Sequence, residues 1–76
     1  MEDFQIVTVT CHAGFRGEEY PRSFVLGGVW IEVVRVVRRW RNPEWRCFAV
    51  VGDDGAQYLL RHDEYRQLWE GRRDGE

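Results

Sequence analysis

The fold is decided by residues 29–61, VWIEVVRVVRRWRNPEWRCFAVVGDDGAQYLLR. Both apolar runs of this segment are rich in valine, and β-branched residues favour strands over helices. Asn42 and Pro43 separate the two runs, because proline fixes its own φ and keeps the preceding residue out of the helical region. Asp54 and Gly55 supply a second tight turn. The segment is therefore predicted to form one continuous piece of antiparallel sheet.

The run from Val29 to Trp40 has a helical alternative. In a helix, one face would carry Trp30, Val33, Val34, Val37 and Trp40. We favour a strand because Gly27 and Gly28 precede the run, and a Gly-Gly pair between apolar segments is typical of a two-residue hairpin. The apolar residues also change parity between Val33 and Val34, which predicts a bulge or sharp bend that lets one strand serve two sheets.

The rest of the chain is predicted from its alternation and its turn residues. Residues 4–10 alternate and are predicted to be the first strand, and residues 12–22 are predicted to be a surface loop. Asp63 is expected to cap a short helix, and Gly71 to end it before a frayed tail. The predicted fold is all-β: a small SH3-like, strongly bent five-stranded antiparallel barrel with a short C-terminal helix, in a single domain.

Length and charge limit the functions that this chain can have. At 76 residues it can hold one core and has no room for a cofactor cavity beside it, so no cofactor is expected. The net charge of −2 is uneven, because residues 35–46 carry five arginines and one glutamate. A small basic segment therefore lies in an acidic protein. No run approaches the roughly 18 apolar residues of a membrane span, so no membrane partner is expected.

The cysteines and histidines do not have the spacing of a metal or catalytic site. The possible zinc ligands are Cys11, His12, Cys47 and His62. No C-x-x-C or H-x-x-x-H pair brackets them, and we expect no metal. The N-terminus has no signal-peptide pattern, so both cysteines are interpreted as reduced, buried thiols in a cytoplasmic protein. A cysteine-based enzyme is the third and weakest hypothesis, and the chain is predicted not to be an enzyme.

The candidate binding surface interleaves arginine with tryptophan. We call the following set the arginine patch: Arg35, Arg38, Arg39, Trp40, Arg41, Trp45 and Arg46. Binding of a protein or peptide is the leading hypothesis, and aromatic side chains of residues 13–22 are a further candidate for that contact. Binding of single-stranded nucleic acid is the second hypothesis, since arginine neutralises phosphates and tryptophan stacks on bases. The structural alternative is a solvated face on which arginines stack over tryptophans. The oligomeric state stays open.

The same segment resembles an uncharacterised family of small bacterial β-rich domains. In that family an F-x-x-x-G turn, here Phe24 to Gly28, leads into a strand that ends in an Arg-Trp pair, here Arg39 and Trp40. A W-R-x-aromatic strand follows, here residues 45–48. Some members of the family are associated with gene clusters of error-prone DNA polymerases. The resemblance implies at most a link to DNA repair, and it transfers no functional residue.

Overall fold

The computed structural model describes residues 3–12 and 20–74, and this part of the chain is all β-structure. Its strands are β1 (Gln5–Ile6), β2 (Thr8–His12), β3 (Tyr20–Leu26), β4 (Val29–Arg41), β5 (Arg46–Gly52), β6 (Gln57–Asp63) and β7 (Leu68–Asp74). All pairings are antiparallel, in the order β1-β7-β6-β5-β4-β3-β2. The described residues contain no helix that is long and apolar enough to cross a membrane.

Two segments of the chain join separate parts of the curled sheet. β1 and β2 are separated only by Val7, yet β1 pairs with β7 and β2 pairs with β3. β4 is divided in the same way: Val29–Glu32 pairs with β3, and residues 33–41 pair with β5. The sheet therefore curls until its two ends meet on the N-terminal segment. The predicted bend of this strand is confirmed, but the strand joins two parts of one seven-stranded sheet rather than two sheets.

β4 bends because its register against β5 shifts twice. The first shift lies between Val33 and Arg35, where the change of apolar parity predicted a bulge. The second lies between Val36 and Arg38, and the sequence analysis missed it. An extra residue on one strand increases the local twist and turns the strand away from its neighbour. The strand interpretation of residues 29–40 is thus confirmed, and the helical alternative is wrong.

The turns are those that the sequence indicates. Gly27 and Gly28 both have positive φ (58° and 80°), as a tight hairpin between twisted strands requires. Asn42 Oδ1 accepts hydrogen bonds from the backbone N–H groups of Glu44 (3.0 Å) and Trp45 (2.8 Å). This Asx turn sets the spacing of β4 and β5. Gly55, at φ 83°, closes the turn between β5 and β6.

The hydrophobic core lies on the concave face of the sheet. Its buried members are Val7, Phe24, Ile31, Phe48, Val50, Tyr58 and Leu60. Tyr58 contacts Phe24 edge-on at 5.1 Å, and its hydroxyl donates a 2.5 Å hydrogen bond to Asp54. Burial and the Asp54 carboxylate raise the pKa of Tyr58 to about 12. The one buried phenol of the core is therefore satisfied by the β5–β6 turn, as burial of a polar group requires.

The predicted C-terminal helix is wrong, because the chain reverses after Asp63 and returns as β7. Asp63 does cap the following residues, since its Oδ1 accepts the N–H groups of Tyr65 (3.0 Å) and Arg66 (3.1 Å). Gln67 then adopts a left-handed φ of 56°, which ends any helical path. Trp69 stacks on His62 at 4.5 Å across the hairpin. Burial of the tryptophan against the sheet thus overrides the helical spacing.

The predicted count of five strands is also wrong. β7 replaces the helix and includes residues 71–74, which were expected to fray. The first predicted strand is split at Val7, whose N–H donates a 3.1 Å hydrogen bond to the carbonyl of Trp69. Four residues of the predicted loop at 12–22 lie in strands instead, since His12 belongs to β2 and residues 20–22 belong to β3. Residues 13–19, including Phe15, lie outside the described part.

Candidate binding surface

All seven residues of the arginine patch lie on β4, on the following turn and at the start of β5. Arg35, Arg38, Arg39 and Arg41 are exposed, whereas Trp40, Trp45 and Arg46 are half-buried. The patch is divided between two faces, because neighbouring residues of a strand point to opposite sides. Trp40 lies opposite Cys47 on the convex face, and Arg39 lies opposite Phe48 on the concave one.

Arg38 and Trp40 form the exposed end of the patch. The guanidinium carbon of Arg38 lies 4.4 Å from the centre of the Trp40 ring. Among the described residues, no carboxylate lies within ion-pair distance of Arg35, Arg38 or Arg39. We call the Arg38–Trp40 pair the open site, because a cation over an aromatic ring still has its N–H groups available for another acceptor.

A second arginine–tryptophan contact on the same convex face is closed. The guanidinium of Arg61 lies 4.1 Å from the Trp45 ring and 3.8 Å from the Phe4 ring. Its Nε donates a 2.9 Å hydrogen bond to Glu70, and its Nη2 donates another at 2.5 Å. We call this set of residues the interlocked site. Its guanidinium contacts two aromatic rings, and two of its nitrogens donate hydrogen bonds within the protein.

The interlocked site was not predicted from the sequence. Arg61 and Glu70 lie directly opposite each other on β6 and β7, where opposite charges stabilise a pair of strands. No local signal indicated this pair, because residues 68–74, LWEGRRD, lack the alternation of apolar and polar residues that predicts a strand. Trp45 was therefore assigned to the binding surface, whereas the structure engages it with Arg61.

Glu64 partly neutralises the other two arginines of the patch. Its carboxylate accepts a 2.8 Å hydrogen bond from Arg41 and lies 3.8 Å from Arg46. The contact with Arg41 lowers the pKa of Glu64. Arg46 also donates a 3.4 Å hydrogen bond to Nδ1 of His62 and lies 5.5 Å from the Phe48 ring. These contacts tie the start of β5 to the end of β6.

Cys47 lies between the open and interlocked sites. It is buried, with Trp40 opposite on one side and Arg61 opposite on the other. Burial raises the pKa of the Cys47 thiol, and the charge of Arg61 opposes that shift. A thiol with a raised pKa is a poor nucleophile at neutral pH. Cys11 is also a thiol but is only half-buried, so the prediction that both are buried holds for Cys47 alone.

The four possible zinc ligands are dispersed over the fold. Cys11 and His12 lie on β2, whereas Cys47 and His62 lie on β5 and β6. His62 is buried and stacks on Trp69, and His12 lies 4.8 Å from the Tyr20 ring. Within residues 3–12 and 20–74, no group of three or more histidine, cysteine or acidic side chains could hold a metal ion.

Exposed apolar side chains accompany the arginines along β4. Val34 is 61% exposed and Val37 is 45% exposed, and both lie next to the register shifts. Trp30, near the start of the strand, is 58% exposed and donates a 3.2 Å hydrogen bond to Glu32. Arginines with exposed valines between them form a surface that combines charge with apolar area, which is typical of protein contacts.

One edge of β4 has no partner strand along residues 33–41 among the described residues. β3 pairs with Val29–Glu32 only, and β5 occupies the other edge of residues 33–41. The pairing with β5 is uninterrupted from Arg38 to Arg41, after the second shift. This segment, which we call the β4 edge, therefore presents a regular row of backbone donors and acceptors.

Comparison of the chain with protein-family models, curated proteins and solved structures gave no match.

Proposed function

We propose that the protein is a small cytoplasmic accessory module without enzymatic activity that binds a protein or peptide through β4. One observation carries this proposal: β4 concentrates exposed arginines and exposed valines on a single strand. The strand contains four arginines and one glutamate, and Val34 and Val37 lie among the arginines. A charged side chain gives orientation and specificity to a contact, and apolar area gives it affinity.

The arginines that cover Trp40 and Trp45 favour a peptide over single-stranded nucleic acid as the partner. Base stacking requires an open aromatic face. Arg38 covers a face of Trp40 at 4.4 Å, and Arg61 covers a face of Trp45 at 4.1 Å. Glu64 also competes for Arg41 and Arg46. Fewer cations are therefore available for phosphates than the sequence of the patch indicates.

Two finer assignments belong to the same proposal. An SH3-like architecture is supported by the tight hairpins and by the shared, bent β4. Membership of the uncharacterised bacterial family is supported by the position of Arg39 and Trp40 near the end of a long strand, followed by a short turn. A link to DNA repair would follow only from that membership. The buried thiol of Cys47 supports a reducing compartment.

Fluorescence anisotropy with labelled probes tests the proposal. The probes are ten-residue acidic, basic and proline-rich peptides and a mixed-sequence single-stranded oligonucleotide, each at low and moderate salt. We expect one peptide class to bind and Trp40→Ala to weaken that binding by about tenfold or more, because the side chain lies in the centre of the surface. Arg73→Ala, on the distant strand β7, is the matched control and should leave binding unchanged.

Two outcomes would contradict the proposal. Binding of the oligonucleotide alone, with an affinity that falls steeply with salt, would assign the arginine patch to nucleic acid. Binding of no probe would make the patch a solvated face on which arginines protect the tryptophans. Circular dichroism should show that each variant is folded, so that a loss of binding is not caused by unfolding.

A further inference from the structure

We infer that the partner is an acidic peptide in extended conformation, which adds to the β4 edge as a further strand. This inference rests on the proposed function and names the partner and its geometry. In strand addition, backbone hydrogen bonds give affinity and alternate side chains give specificity. The β4 edge offers both, because it is regular from Arg38 to Arg41 and carries three arginines in four residues.

The location of the β4 edge explains why no described strand covers it. β3 follows β4 only as far as Glu32, where the two strands diverge at the first register shift. Residues 33–41 then continue beside β5 alone among the described strands. A backbone edge of this kind needs water or another chain to satisfy its N–H and C=O groups.

Charge decides which chain fits. Arg38 and Arg39 point to opposite faces of β4, and the described residues place no carboxylate within ion-pair distance of either. A partner strand with acidic residues would meet a cation on both of its faces. Opposite charges across paired strands stabilise the pairing, and like charges destabilise it.

The same argument excludes a second copy of this chain as the occupant. If two β4 edges paired in antiparallel fashion about Trp40, Arg39 of one copy would lie opposite Arg41 of the other, because facing residues point to the same side of the sheet. That contact would occur twice, because the arrangement is symmetric. Arginines on an exposed edge are also a common protection against self-association. Charge repulsion therefore disfavours pairing of two β4 edges, and charge attraction favours an acidic strand.

The position of Trp40 adds specificity within that segment. It lies between Arg39 and Arg41 in the sequence and points to the face opposite theirs. A strand that places acidic residues beside the two arginines would place its intervening residue on the face of Trp40. We therefore expect alternation of acidic and apolar residues in the partner, with valine or another β-branched residue beside the tryptophan.

The test uses the peptide Thr-Glu-Val-Glu-Val-Glu-Thr with the full chain. We expect binding at low salt, and we expect backbone amides in alternation along Arg38–Arg41 to gain hydrogen-exchange protection, since only every second amide faces the added strand. Two further peptides carry N-methyl groups on either the glutamate amides or the valine amides. Methylation of the set that faces β4 should weaken binding by about tenfold, and methylation of the other set should leave binding unchanged, because only alternate residues of a strand hydrogen-bond to one neighbour. The lysine-for-glutamate peptide should not bind.

The variants separate charge from geometry. Arg39→Ala should weaken binding by several-fold, and Arg73→Ala, remote from the edge, should not change it. If the peptide binds and neither methylated set loses affinity, strand addition is wrong while the proposed function stands. If no peptide of any class binds, both are wrong. Dimerisation of the protein in sedimentation experiments, with protection of the same amides, would assign the edge to a second copy and overturn the inference.

Discussion

Two arginine–tryptophan contacts in the described part of the chain have nearly the same distance and different surroundings. Arg38 lies 4.4 Å from Trp40, and Arg61 lies 4.1 Å from Trp45. Arg61 is also held by Phe4 and Glu70, whereas Arg38 has no carboxylate nearby among the described residues. In this protein an arginine over a tryptophan is part of the packed structure where a carboxylate completes the contact, and it stays exposed where none does.

The position of each site in the sheet causes this difference. Arg61 is on β6, which has β5 on one side and β7 on the other, so side chains reach it from both neighbours. Arg38 is on β4 beyond the end of its pairing with β3, so the described part of the chain supplies neighbours from β5 only. A central strand surrounds its side chains, and an edge strand leaves them to solvent or to a partner.

Replacement of Arg61 should have the largest effect on stability. We expect Arg61→Ala to lower the free energy of unfolding by about 2 kcal/mol, because Glu70 loses its half-buried partner and two aromatic rings lose a cation. Urea denaturation measures the change. Arg61→Lys keeps the charge and loses the planar fork, so it should recover only part of the loss. A change below about 0.5 kcal/mol would mean that the interlocked site contributes no more than an exposed ion pair.

Removal of the Cys47 side-chain sulfur should have an intermediate effect. Cys47→Ala leaves a small cavity between the two sites and should cost about 1 kcal/mol, with the fold retained in the absence of metal. Denaturation and elemental analysis of the purified protein measure both parts of this prediction. Stoichiometric zinc in the wild-type protein, or loss of the fold in the variant, would contradict it.

Replacement of Arg38 should have little effect on stability. Arg38→Ala removes one exposed cation–π contact, and we expect a change of at most about 0.5 kcal/mol under the same denaturation conditions. The comparison fails if Arg38→Ala and Arg61→Ala destabilise equally, because the two sites would then be equally structural. The open site differs most clearly from the interlocked site if Arg38→Ala has a small effect on stability and causes a clear loss of peptide binding.

The smallest expected effect is electrostatic and concerns Glu64. Hydrogen bonding to Arg41 holds its pKa below the ordinary value of 4.5. The carboxylate therefore contributes stability that is present above that value and is lost as the pH falls through the lower pKa of the folded state. Arg41→Ala should raise the pKa of Glu64, and NMR titration of its side-chain carboxyl measures the shift. No shift would show that the pair is screened by solvent.

Local signals predicted much of the fold. The Gly27–Gly28 hairpin, the Asn42 turn and the turn at Gly55 all depend on residues adjacent in sequence, and each is confirmed. The bend at Val33 was predicted because a change of parity is visible in the apolar pattern. The second shift was not, since valines and arginines around Val37 give no comparable change of pattern.

The error at the C-terminus has a tertiary cause. Asp63 was predicted to cap a short helix, and it caps a turn instead, because the helix competes with the packing of Trp69 on His62 and Phe48. A capping residue starts a helix or a tight turn equally well, because both need its side-chain oxygen. Contacts with β6 and the N-terminal segment decide between them.

The candidate site was predicted in composition but not in arrangement. The sequence placed all seven residues of the patch near one another, since they lie within twelve positions, 35–46. It did not separate Trp40 from Trp45, because Phe4 and Arg61 are distant in sequence from Trp45 and reach it only in the folded sheet. Their contacts engage one of the seven predicted residues, Trp45, within the folded protein.

By itself, the sequence determined the strand character of the central segment, its turns and its concentration of arginine, because these properties depend on residue type and on near neighbours. Tertiary structure alone decided which arginines are satisfied. The curled sheet brings Glu70 to Arg61 and Glu64 to Arg41, and it ends the cover of β4 at Glu32. Availability for binding is thus set by contacts between strands that are far apart along the chain, which no local pattern encodes.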